Sequence, residues 1–253
     1  MNPRNILKYA QLLLGTRPDD TLGFRLLAMA AKRWVPDYKL TWPELAWFKN
    51  SVLLDILRNF DELDGFNAHR RLALQQLLRL TSHVEGDTAE CGVYKGCGSY
   101  IVLAANERSS SDRIHHVFDS FEGLSRPDEK DGDYWTAHDL TAEEALAKKK
   151  LIKYERVRFY KGWIPSRFNE IREHKFSFVH VDVDLYEPTF KSIEFFYDKL
   201  NTGGIFVCDD YGFLTCPGAT SAIDEFLLSR KEKMVSLPGG GGFFIKGCTT
   251  APE

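Results

Sequence analysis

The chain has 253 residues, of which 43% are hydrophobic and 27% are charged, and both fractions are ordinary for a globular protein. This composition excludes wholesale disorder, which requires few apolar residues and a large net charge. The net charge of −3 argues against nucleic acid as a partner, and no apolar stretch approaches the ~20 residues of a membrane span. Length alone allows one large domain or two small ones.

The amino-terminal residues only faintly resemble a secretory signal. Arg4 and Lys8 lie beside a short leucine run at 12–14, but Gln11 interrupts the apolar stretch and no small-residue cleavage site follows. We therefore predict a cytoplasmic protein. The odd number of cysteines and the absence of C-x-x-C spacing predict reduced, partly buried thiols rather than disulfides or a zinc site. These cysteines are Cys91, Cys97, Cys208, Cys216 and Cys248.

Residues 1–84 are predicted to form a helical cap that belongs to the same domain as the rest of the chain. Helix-like patterns cover 21–31, 43–60 and 66–83, with Asn67 as a plausible N-cap of the last helix. That helix places Leu74, Leu77, Leu78 and Thr81 on one stripe, and Arg70, Arg71 and Arg79 elsewhere around it.

The aromatic residues of this cap leave its role open. Trp34, Trp42 and Trp47 fit either a homodimer (or higher homo-oligomer) surface or ordinary core packing.

From residue 85 onward, predicted strands alternate with predicted helices. The strands are expected at 88–91, 115–119, 157–160, 177–182, 204–209 and 242–246. Helices are expected at 99–108, from Pro188 through Leu200, and at 218–232. This alternation predicts an α/β fold, namely a doubly wound, mostly parallel Rossmann-like sheet that spans residues 85–253. The charged insertion at 125–150 is interpreted as either a lid over the site or solvated decoration.

The loop after the first predicted strand is rich in glycine and leads into a helix. Its spacing, G-x-x-x-G-x-G at Gly92, Gly96 and Gly98, differs from the G-x-G-x-x-G of dinucleotide enzymes and therefore disfavours NAD. Such a loop lets the backbone approach a ligand, although it can also serve packing alone.

Two later strand ends carry further candidates for ligand binding. Asp119 lies 21 residues beyond Gly98, where an acidic side chain holds ribose hydroxyls in nucleoside-binding sheets, or else it merely caps a helix. Trp163 follows the third strand and can stack on a base or simply pack.

Four aspartates follow two neighbouring strands. Asp182 and Asp184 follow the fourth predicted strand, and Asp209 and Asp210 follow the fifth. Clustered carboxylates repel one another unless they are protonated or bound to a cation, and oxygen ligands suit Mg²⁺ better than zinc. In the alternative interpretation, Asp184 caps the next helix and Asp210 faces water.

The histidines are mostly interpreted as structural. His180 lies inside a strand and is expected to be buried and hydrogen-bonded, and His115 and His116 are expected to be structural as well. Only His138, in the insertion, is considered for catalysis.

These residues together resemble the macrocin O-methyltransferase (TylF-like) family. The resemblance rests on Glu90-Cys-Gly-Val-Tyr-Lys-Gly, Phe118-Asp-Ser-Phe-Glu-Gly-Leu, Lys161-Gly-Trp, His180-Val-Asp-Val-Asp-Leu-Tyr-Glu-Pro-Thr, and Asp209-Asp-Tyr-Gly followed by Cys216-Pro-Gly-Ala. It implies a class I methyltransferase that depends on S-adenosylmethionine and Mg²⁺ (or a similar divalent cation). The implied acceptor is a small-molecule or glycoside hydroxyl, most often of a sugar in a glycosylated natural product.

Position by position, the resemblance implies a cofactor site, a metal site and a base. The metal ligands would be Asp182, Asp209 and Asp210, and Asp184 would be the general base. The loop departs from the family at Gly96-Cys97-Gly98-Ser99, where members usually read Gly-Gly-Ser, so Gly96 is preferred to Gly98. The implied cofactor residues are Glu90, Gly92, Val93, Tyr94, Gly96, Asp119, Ser120, Phe121, Gly162, Trp163 and Asp182.

Two further functions stay open beside a sugar O-methyltransferase. The same cofactor and metal can serve a catechol-like phenol, whose vicinal hydroxyls suit a metal. A binding or scaffold protein would instead retain the fold without turnover. A nucleotide-sugar oxidoreductase is disfavoured by the glycine spacing.

Overall fold

The structure is a computed structural model that describes residues 20–37, 39, 41, 45–63, 66–109 and 112–249. The predictions made for the amino-terminal residues and for Trp42 lie outside these ranges. The chain divides into two compact units between Leu54 and Asp55. Among the described residues, every helix is too short or too polar to cross a membrane.

The first unit contains helix α1 (Asp20–Trp34) and a 3-10 helix (Ala46–Lys49), and helix α2 (Ser51–Asn59) begins within it. On α1 the Trp34 side chain is 79% exposed. The tryptophan is therefore not a core residue of this unit, and its part in a homodimer stays a prediction.

The second unit holds the sheet and the helices that cover it. Its helices are α3 (Ala68–Leu80), α4 (Cys97–Arg108), α5 (Glu144–Leu151), α6 (Tyr186–Phe196) and α7 (Pro217–Leu227). Its strands are β1 (Asp87–Cys91), β2 (His115–Asp119), β3 (Val157–Lys161), β4 (Phe176–Val181), β5 (Leu200–Cys208), β6 (Val235–Ser236) and β7 (Gly242–Ile245).

The seven strands form one sheet in the order β3-β2-β1-β4-β5-β7-β6. Strands β1 to β5 pair with one another in parallel. Strand β7 is antiparallel to both β5 and β6. The predicted doubly wound, mostly parallel α/β fold is confirmed. The strand order reverses between β1 and β4, and the carboxyl ends beside such a switch point are where ligands bind in this architecture.

Aromatic and β-branched side chains hold the sheet and its helices together. All six residues of β4 are buried, as expected for a strand covered on both faces. Phe118, Phe176 and Phe206 on the strands and Phe196 on α6 are each at most 1% exposed. Fully burying one such side chain contributes about 1.5–3 kcal/mol to stability. The strand ends that carry the candidate site are therefore anchored in a rigid core.

Two predicted helices have different bounds in the structure. Helix α6 ends at Phe196, and Leu200 opens β5 instead of continuing the helix. The reason is pairing, because Leu200 lies opposite Phe176 of β4 and the Phe176 amide donates to the carbonyl of Lys199. Helix α7 ends at Leu227 rather than at residue 232.

Asn67 is the N-cap residue of α3, as predicted, but the expected side-chain bond to a free amide is absent. Its backbone lies in the helical region, and its side chain caps no amide. Its Oδ1 instead accepts from Arg70 Nη2 at 2.6 Å, so the side chain orients an arginine.

Side-chain contacts attach the insertion at 125–150 to the body of the second unit. Asp131, which ends a 3-10 helix (Glu129–Asp131), is 3% exposed, and its Oδ1 accepts from the Tyr186 amide at 2.6 Å. Farther on, Trp135 Nε1 donates to Cys216 Sγ at 3.4 Å. The interpretation of this segment as a lid stays a prediction.

All five cysteines are free thiols, and only Cys248 is exposed, as predicted.

Candidate active site

A cavity of about 550 Å³ opens at the carboxyl edge of the sheet. Its wall comes from the loops that follow β1 to β5, from α3 and from the insertion. Most of the predicted site residues line it, including Glu90, Gly92, Val93, Tyr94, Asp119, Ser120, Gly162, Trp163, Asp182, Asp184 and Asp210. The predicted cofactor residues Gly96 and Phe121 and the predicted metal ligand Asp209 do not belong to this wall.

The glycine-rich loop brings β1 close to the neighbouring strand end. Gly92 has φ +83°, and a Cβ there would overlap the carbonyl oxygen of Asp182. A Cβ at Gly98 would overlap Glu90 Oε1, and Gly98 lines the cavity. At Gly96, which has φ +93°, a Cβ would face Leu151 instead. The structure therefore places Gly98, rather than the preferred Gly96, beside the predicted cofactor site.

Glu90 is buried, and both of its carboxylate oxygens are engaged. Oε1 lies 2.8 Å from His180 Nδ1, and Oε2 accepts from the hydroxyl of Ser99 at the start of α4. The expectation that His180 is buried and hydrogen-bonded is confirmed, since its exposure is 0%. This arrangement ties β1, β4 and α4 together beneath the cavity.

Asp119 at the end of β2 stabilises the glycine-rich loop. Its Oδ2 accepts from the amides of Val93 at 2.7 Å and Tyr94 at 2.9 Å, and its Oδ1 accepts from Phe121 at 2.6 Å. A carboxylate has about four acceptor positions, so one remains for a hydroxyl in the cavity. Phe121 itself packs against Val93 in a small buried cluster.

Two partly exposed aromatic rings lie at the wall of the cavity near β1 and β3. Tyr94 and Trp163 are each 38% exposed. A flat ring with a free face can stack on another aromatic system, which is what an adenine would require.

The four aspartates form two groups. Oxygen atoms of Asp182 and Asp209 lie together with a nitrogen of His180, all within 4.8 Å of one another. Asp184 and Asp210 form a second group with Cys216, with the same limit on their separations. The three predicted metal ligands are thus divided between neighbouring groups at one edge of the sheet.

Two arginines of α3 neutralise the first group. Arg70 Nη1 lies 2.5 Å from Asp209 Oδ2, and Arg71 Nη1 lies 3.7 Å from an oxygen of both Asp182 and Asp209. Arg71 also binds the buried Glu62 through Nε at 2.7 Å and Nη2 at 3.1 Å.

Burial and these charges give the four acids different pKa values. Burial, followed by the charge of Asp209, raises the pKa of Asp182 to about 6. Burial, followed by Asp182, raises the pKa of Asp184 to about 7, and burial with Asp184 raises that of Asp210 well above its usual value. Burial also raises the pKa of Asp209, but Arg70, His180 and Arg71 together outweigh it, so this pKa lies below the usual value. Three of the four acids therefore bind a proton more readily than an ordinary carboxyl group does, because burial and their mutual repulsion disfavour the charged forms.

The loop that carries Asp184 is held by its neighbour across the sheet. Asp210 Oδ2 accepts from the amides of Val183 at 3.0 Å and Asp184 at 2.8 Å, and Asp184 has φ +60°. The Cys216 thiol donates to Asp184 Oδ1 at 3.6 Å. Asp184 therefore caps no helix, since Leu185 is the N-cap of α6.

The donor set fits a hard divalent cation. Carboxylate oxygens are the ligands that Mg²⁺ prefers, and a bound cation would favour the ionised forms of Asp182, Asp184 and Asp210, whose pKa values are raised. Asp209 Oδ2 is already bound by Arg70, so a cation at this oxygen would replace that guanidinium.

Several residues of the site were not predicted from the sequence. Arg70 and Arg71 were interpreted as the polar side of α3, although adjacent arginines can indicate compensation for clustered acids elsewhere in a chain. Apolar residues of the wall carried no motif and gave no signal, among them Trp135, Leu140, Ile164 and Phe213. His138 lies outside the wall, and its Nδ1 is 3.0 Å from the carbonyl oxygen of Glu122.

Known proteins share this sequence pattern. The family described as Macrocin-O-methyltransferase (TylF) matches residues 68–238, about two thirds of the chain. A Streptomyces niveus protein, demethyldecarbamoylnovobiocin O-methyltransferase, is 29% identical over 201 residues, which cover 70% of this chain and 75% of that protein. A Streptomyces olivaceus protein, 8-demethyl-8-(2,3-dimethoxy-alpha-L-rhamnosyl)-tetracenomycin-C 4'-O-methyltransferase, is 29% identical over 175 residues, which cover 60% and 66%.

Solved structures share the fold. The calicheamicin methyltransferase CalS11 superposes with a TM-score of 0.67 at 20% identity, covering 85% of this chain and 97% of that chain. The O-methyltransferase NovP superposes with a TM-score of 0.57 at 21% identity, covering 90% and 99%. These likenesses establish a class I methyltransferase architecture.

Proposed function

Because the chain belongs to the macrocin-O-methyltransferase (TylF) family and is an S-adenosylmethionine-dependent O-methyltransferase, we propose that it methylates a hydroxyl of a sugar in a glycosylated natural product, with Mg²⁺ as a second cofactor. The observation that carries this proposal is the cavity itself. The part of its wall that follows β1 to β3 has the acidic and glycine-rich features of a nucleoside site, and the adjoining part after β4 and β5 carries the carboxylates.

S-adenosylmethionine would lie along the carboxyl ends of β1, β2 and β3. Its methionine end would face Glu90, Gly92, Val93 and Tyr94, with Gly98 allowing close approach. The remaining acceptor position of Asp119 suits a ribose hydroxyl, with Ser120 adjoining. The adenine would lie near Gly162 and against the exposed ring of Trp163.

The divalent cation would be held by Asp182, Asp209 and Asp210. When it is bound, such an ion supplies a Lewis acid that lowers the pKa of a coordinated hydroxyl and orients vicinal oxygens. Clustered carboxylates repel one another unless they bind a proton or a cation, which supports this proposal, and Asp182 and Asp209 each place an oxygen within 4.8 Å of the other.

Asp184 would act as the general base. S-adenosylmethionine, when bound, would supply an electrophilic methyl group to the acceptor oxygen, with the neutral thioether as the leaving group. Asp184 would accept the hydroxyl proton on a carboxylate oxygen. A base with a pKa of about 7 suits this transfer at neutral pH, and the Cys216 thiol and the Asp210 carboxylate hold it in place.

The acceptor class is proposed from the relatives and from the wall beside Asp184. The names of both Streptomyces relatives describe methylation of antibiotic molecules, and one of them specifies a rhamnosyl group. In this chain Trp135, Leu140 and Phe213 offer apolar area next to the carboxylates, which fits the apolar face of a sugar ring and its aglycone.

The same aromatic wall also favours a second candidate, a catechol-like phenol. Its two adjacent hydroxyls could bind one cation as vicinal sugar hydroxyls do. A scaffold without turnover is the third possibility, and the complete set of aspartates argues against it.

One assay separates these functions. The protein is incubated with S-adenosylmethionine and Mg²⁺ against matched panels of glycosides and catechols, and products are identified by mass spectrometry. We expect a gain of one methyl group on glycosides and its loss in EDTA. Methylation confined to catechols would overturn the sugar assignment, and undiminished turnover in EDTA would overturn the role of the cation. Tight cofactor binding with no product from either panel would favour the scaffold.

A further inference from the structure

A second cluster of metal-ligating side chains lies at the opposite end of the sheet. Asp87 is the first residue of β1, His116 is the second of β2, and His174 comes two residues before β4. One ligand atom from each of these residues lies within 4.8 Å of the others. The amino ends of parallel strands point away from the cavity edge, so this cluster is separate from the proposed active site.

The distance between Asp87 and His116 matches the geometry of a small tetrahedral ion. Asp87 Oδ2 lies 3.2 Å from His116 Nε2 and 2.7 Å from His174 Nδ1. Two ligands at about 2.0–2.1 Å from a tetrahedral Zn²⁺ lie about 3.3 Å apart. The cation would take the place of the protons that the two imidazole rings now donate to the carboxylate, with only a small outward shift of His174.

The ligands are oriented by neighbours on their far sides. His116 Nδ1 lies 2.9 Å from the Tyr160 hydroxyl, and Asp87 Oδ1 accepts from the Ile114 amide at 2.8 Å. Such outer partners fix the ring and its tautomer in metal sites, where a ligating histidine binds a hydroxyl, carboxylate or carbonyl through its second nitrogen. Here they leave His116 Nε2 and Asp87 Oδ2 facing each other at 3.2 Å.

The cluster is also accessible to an ion from solvent. His116 is 1% exposed, but Asp87 is 19% and His174 is 37% exposed in their side chains. Asp87 also lines a surface hollow of about 350 Å³, together with Gly86. Arg113 of the same hollow directs its guanidinium to the carbonyl oxygens of Thr81, Ser82 and Val84.

We propose that Asp87, His116 and His174 form a second metal site, selective for a borderline divalent cation such as Zn²⁺ over Mg²⁺. Two neutral imidazole nitrogens and one carboxylate favour Zn²⁺ and its first-row neighbours, whereas Mg²⁺ prefers oxygen ligands alone. The ion would join the starts of three adjacent strands and keep its fourth position for water, which makes its first effect structural.

The test uses the full chain, stripped of metal and then saturated with Mg²⁺ to occupy the carboxyl edge. Zn²⁺ is titrated by calorimetry, and Co²⁺ is used as a visible probe of tetrahedral nitrogen and oxygen ligation. We expect one Zn²⁺ per chain, visible Co²⁺ bands and a raised melting temperature. His174→Ala removes an exposed ligand without opening the core, and it should abolish all three effects.

Two further variants make the result decisive. Tyr160→Phe should keep the site but weaken Zn²⁺ binding about 10- to 100-fold, because it removes only an orienting partner. His83→Ala removes another exposed histidine of the same hollow and should leave binding unchanged. Absence of Co²⁺ bands, or binding that survives in His174→Ala, would reduce the cluster to a hydrogen-bonded triad. Equal losses in His83→Ala and His174→Ala would indicate adventitious surface binding and would also overturn the proposal.

Discussion

The two ends of the parallel sheet carry different charge balances. At the carboxyl edge, Asp182, Asp184, Asp209 and Asp210 face two arginines and one histidine, and the pKa of every one of these acids except Asp209 lies above its usual value, chiefly because of burial. At the amino edge, the single carboxylate of Asp87 faces two imidazoles, and its pKa is lowered because the hydrogen bonds from His116 and Ile114 outweigh the effect of burial.

Because the two ends of the sheet carry different charged groups, one scaffold can support two kinds of chemistry. In the proposed function, the carboxylates of the carboxyl edge would hold a hard cation and supply a base. At the amino edge, two imidazole nitrogens and one carboxylate would favour a borderline cation, which would stabilise the fold. The helices and strands between them are shared, so each edge can be altered while the other serves as an internal reference.

The largest effect is expected for Asp184→Asn, which removes the proposed base from the carboxyl edge. Asn tolerates the left-handed backbone of this position, so the loop should keep its shape. We expect kcat/KM for methyl transfer to fall about 10²- to 10⁴-fold, with cofactor affinity unchanged by calorimetry. Asp133→Asn, an exposed acid of the insertion, is the control. Full activity of Asp184→Asn would assign the base to another group.

The next effect concerns the buried positive charge of Arg71. Arg71→Ala leaves Glu62 buried without its partner, and breaking such a pair costs about 3–5 kcal/mol of unfolding free energy. Urea denaturation measures this loss, and added Mg²⁺ should restore part of it by neutralising Asp182 and Asp209. Arg79→Ala, an exposed arginine of the same helix, should change stability by less than about 0.5 kcal/mol.

A double variant shows whether charge or packing dominates at Arg71. Replacing both Arg71 and Glu62 with methionine removes the two charges together and should recover most of the lost stability. A double variant as unstable as Arg71→Ala would mean that the arginine acts through its packing, and the carboxyl edge would then not depend on charge compensation.

The third prediction concerns pH. Burial lowers the pKa of His180, but the hydrogen bonds and charges of Asp209 and Glu90 outweigh it and raise this pKa to about 10. Because the folded pKa lies above the unfolded one, the stabilisation is complete below about pH 6.5 and is lost as pH rises toward 10. The free energy of unfolding should therefore fall by up to about 1.4 kcal/mol per pH unit in this window.

The pH series is read as a difference between the wild type and His180→Gln, so that titration of other groups cancels. The variant lacks the imidazolium and should lose this slope. Identical slopes in the two proteins would mean that His180 is neutral between its two carboxylates.

The smallest effect is expected for Arg70→Ala. Arg70 lies 2.5 Å from Asp209 Oδ2 and therefore competes with a divalent cation for that oxygen. Its removal should tighten Mg²⁺ or Mn²⁺ binding about tenfold, which corresponds to about 1.4 kcal/mol. Calorimetry measures the change against Arg79→Ala. Weaker binding in Arg70→Ala would show that the arginine organises the cation site instead of competing for it.

Much of the second unit could be predicted from its sequence, because its signals are local. The apolar run around Phe178 identifies β4, and glycines and aspartates at strand ends identify the edge where a site forms. Leu200 was misassigned because three near-helical apolar positions precede it, while its pairing with Phe176 depends on a strand distant in sequence.

The missed residues are those whose role depends on tertiary contacts. Arg70 and Arg71 resemble any polar helix side until α3 packs beside the aspartates. His116 was expected to be structural, and its approach to Asp87 and His174 follows from the strand order, which the sequence does not specify. Residue types alone do not reveal such partners.

The hydrogen bond from the Tyr186 amide to Asp131 affects how the range of methylated molecules could be engineered. Asp131 fixes the first turn of α6 two residues after Asp184, so it couples the insertion to the proposed base. Replacing Asp131 would therefore disturb catalysis as well as the selectivity for the methylated molecule. The exposed stretch from Asp133 to Ala137 carries no such attachment apart from Trp135, so loop libraries placed there, with Trp135 retained, can vary the entrance while the chemistry is held constant.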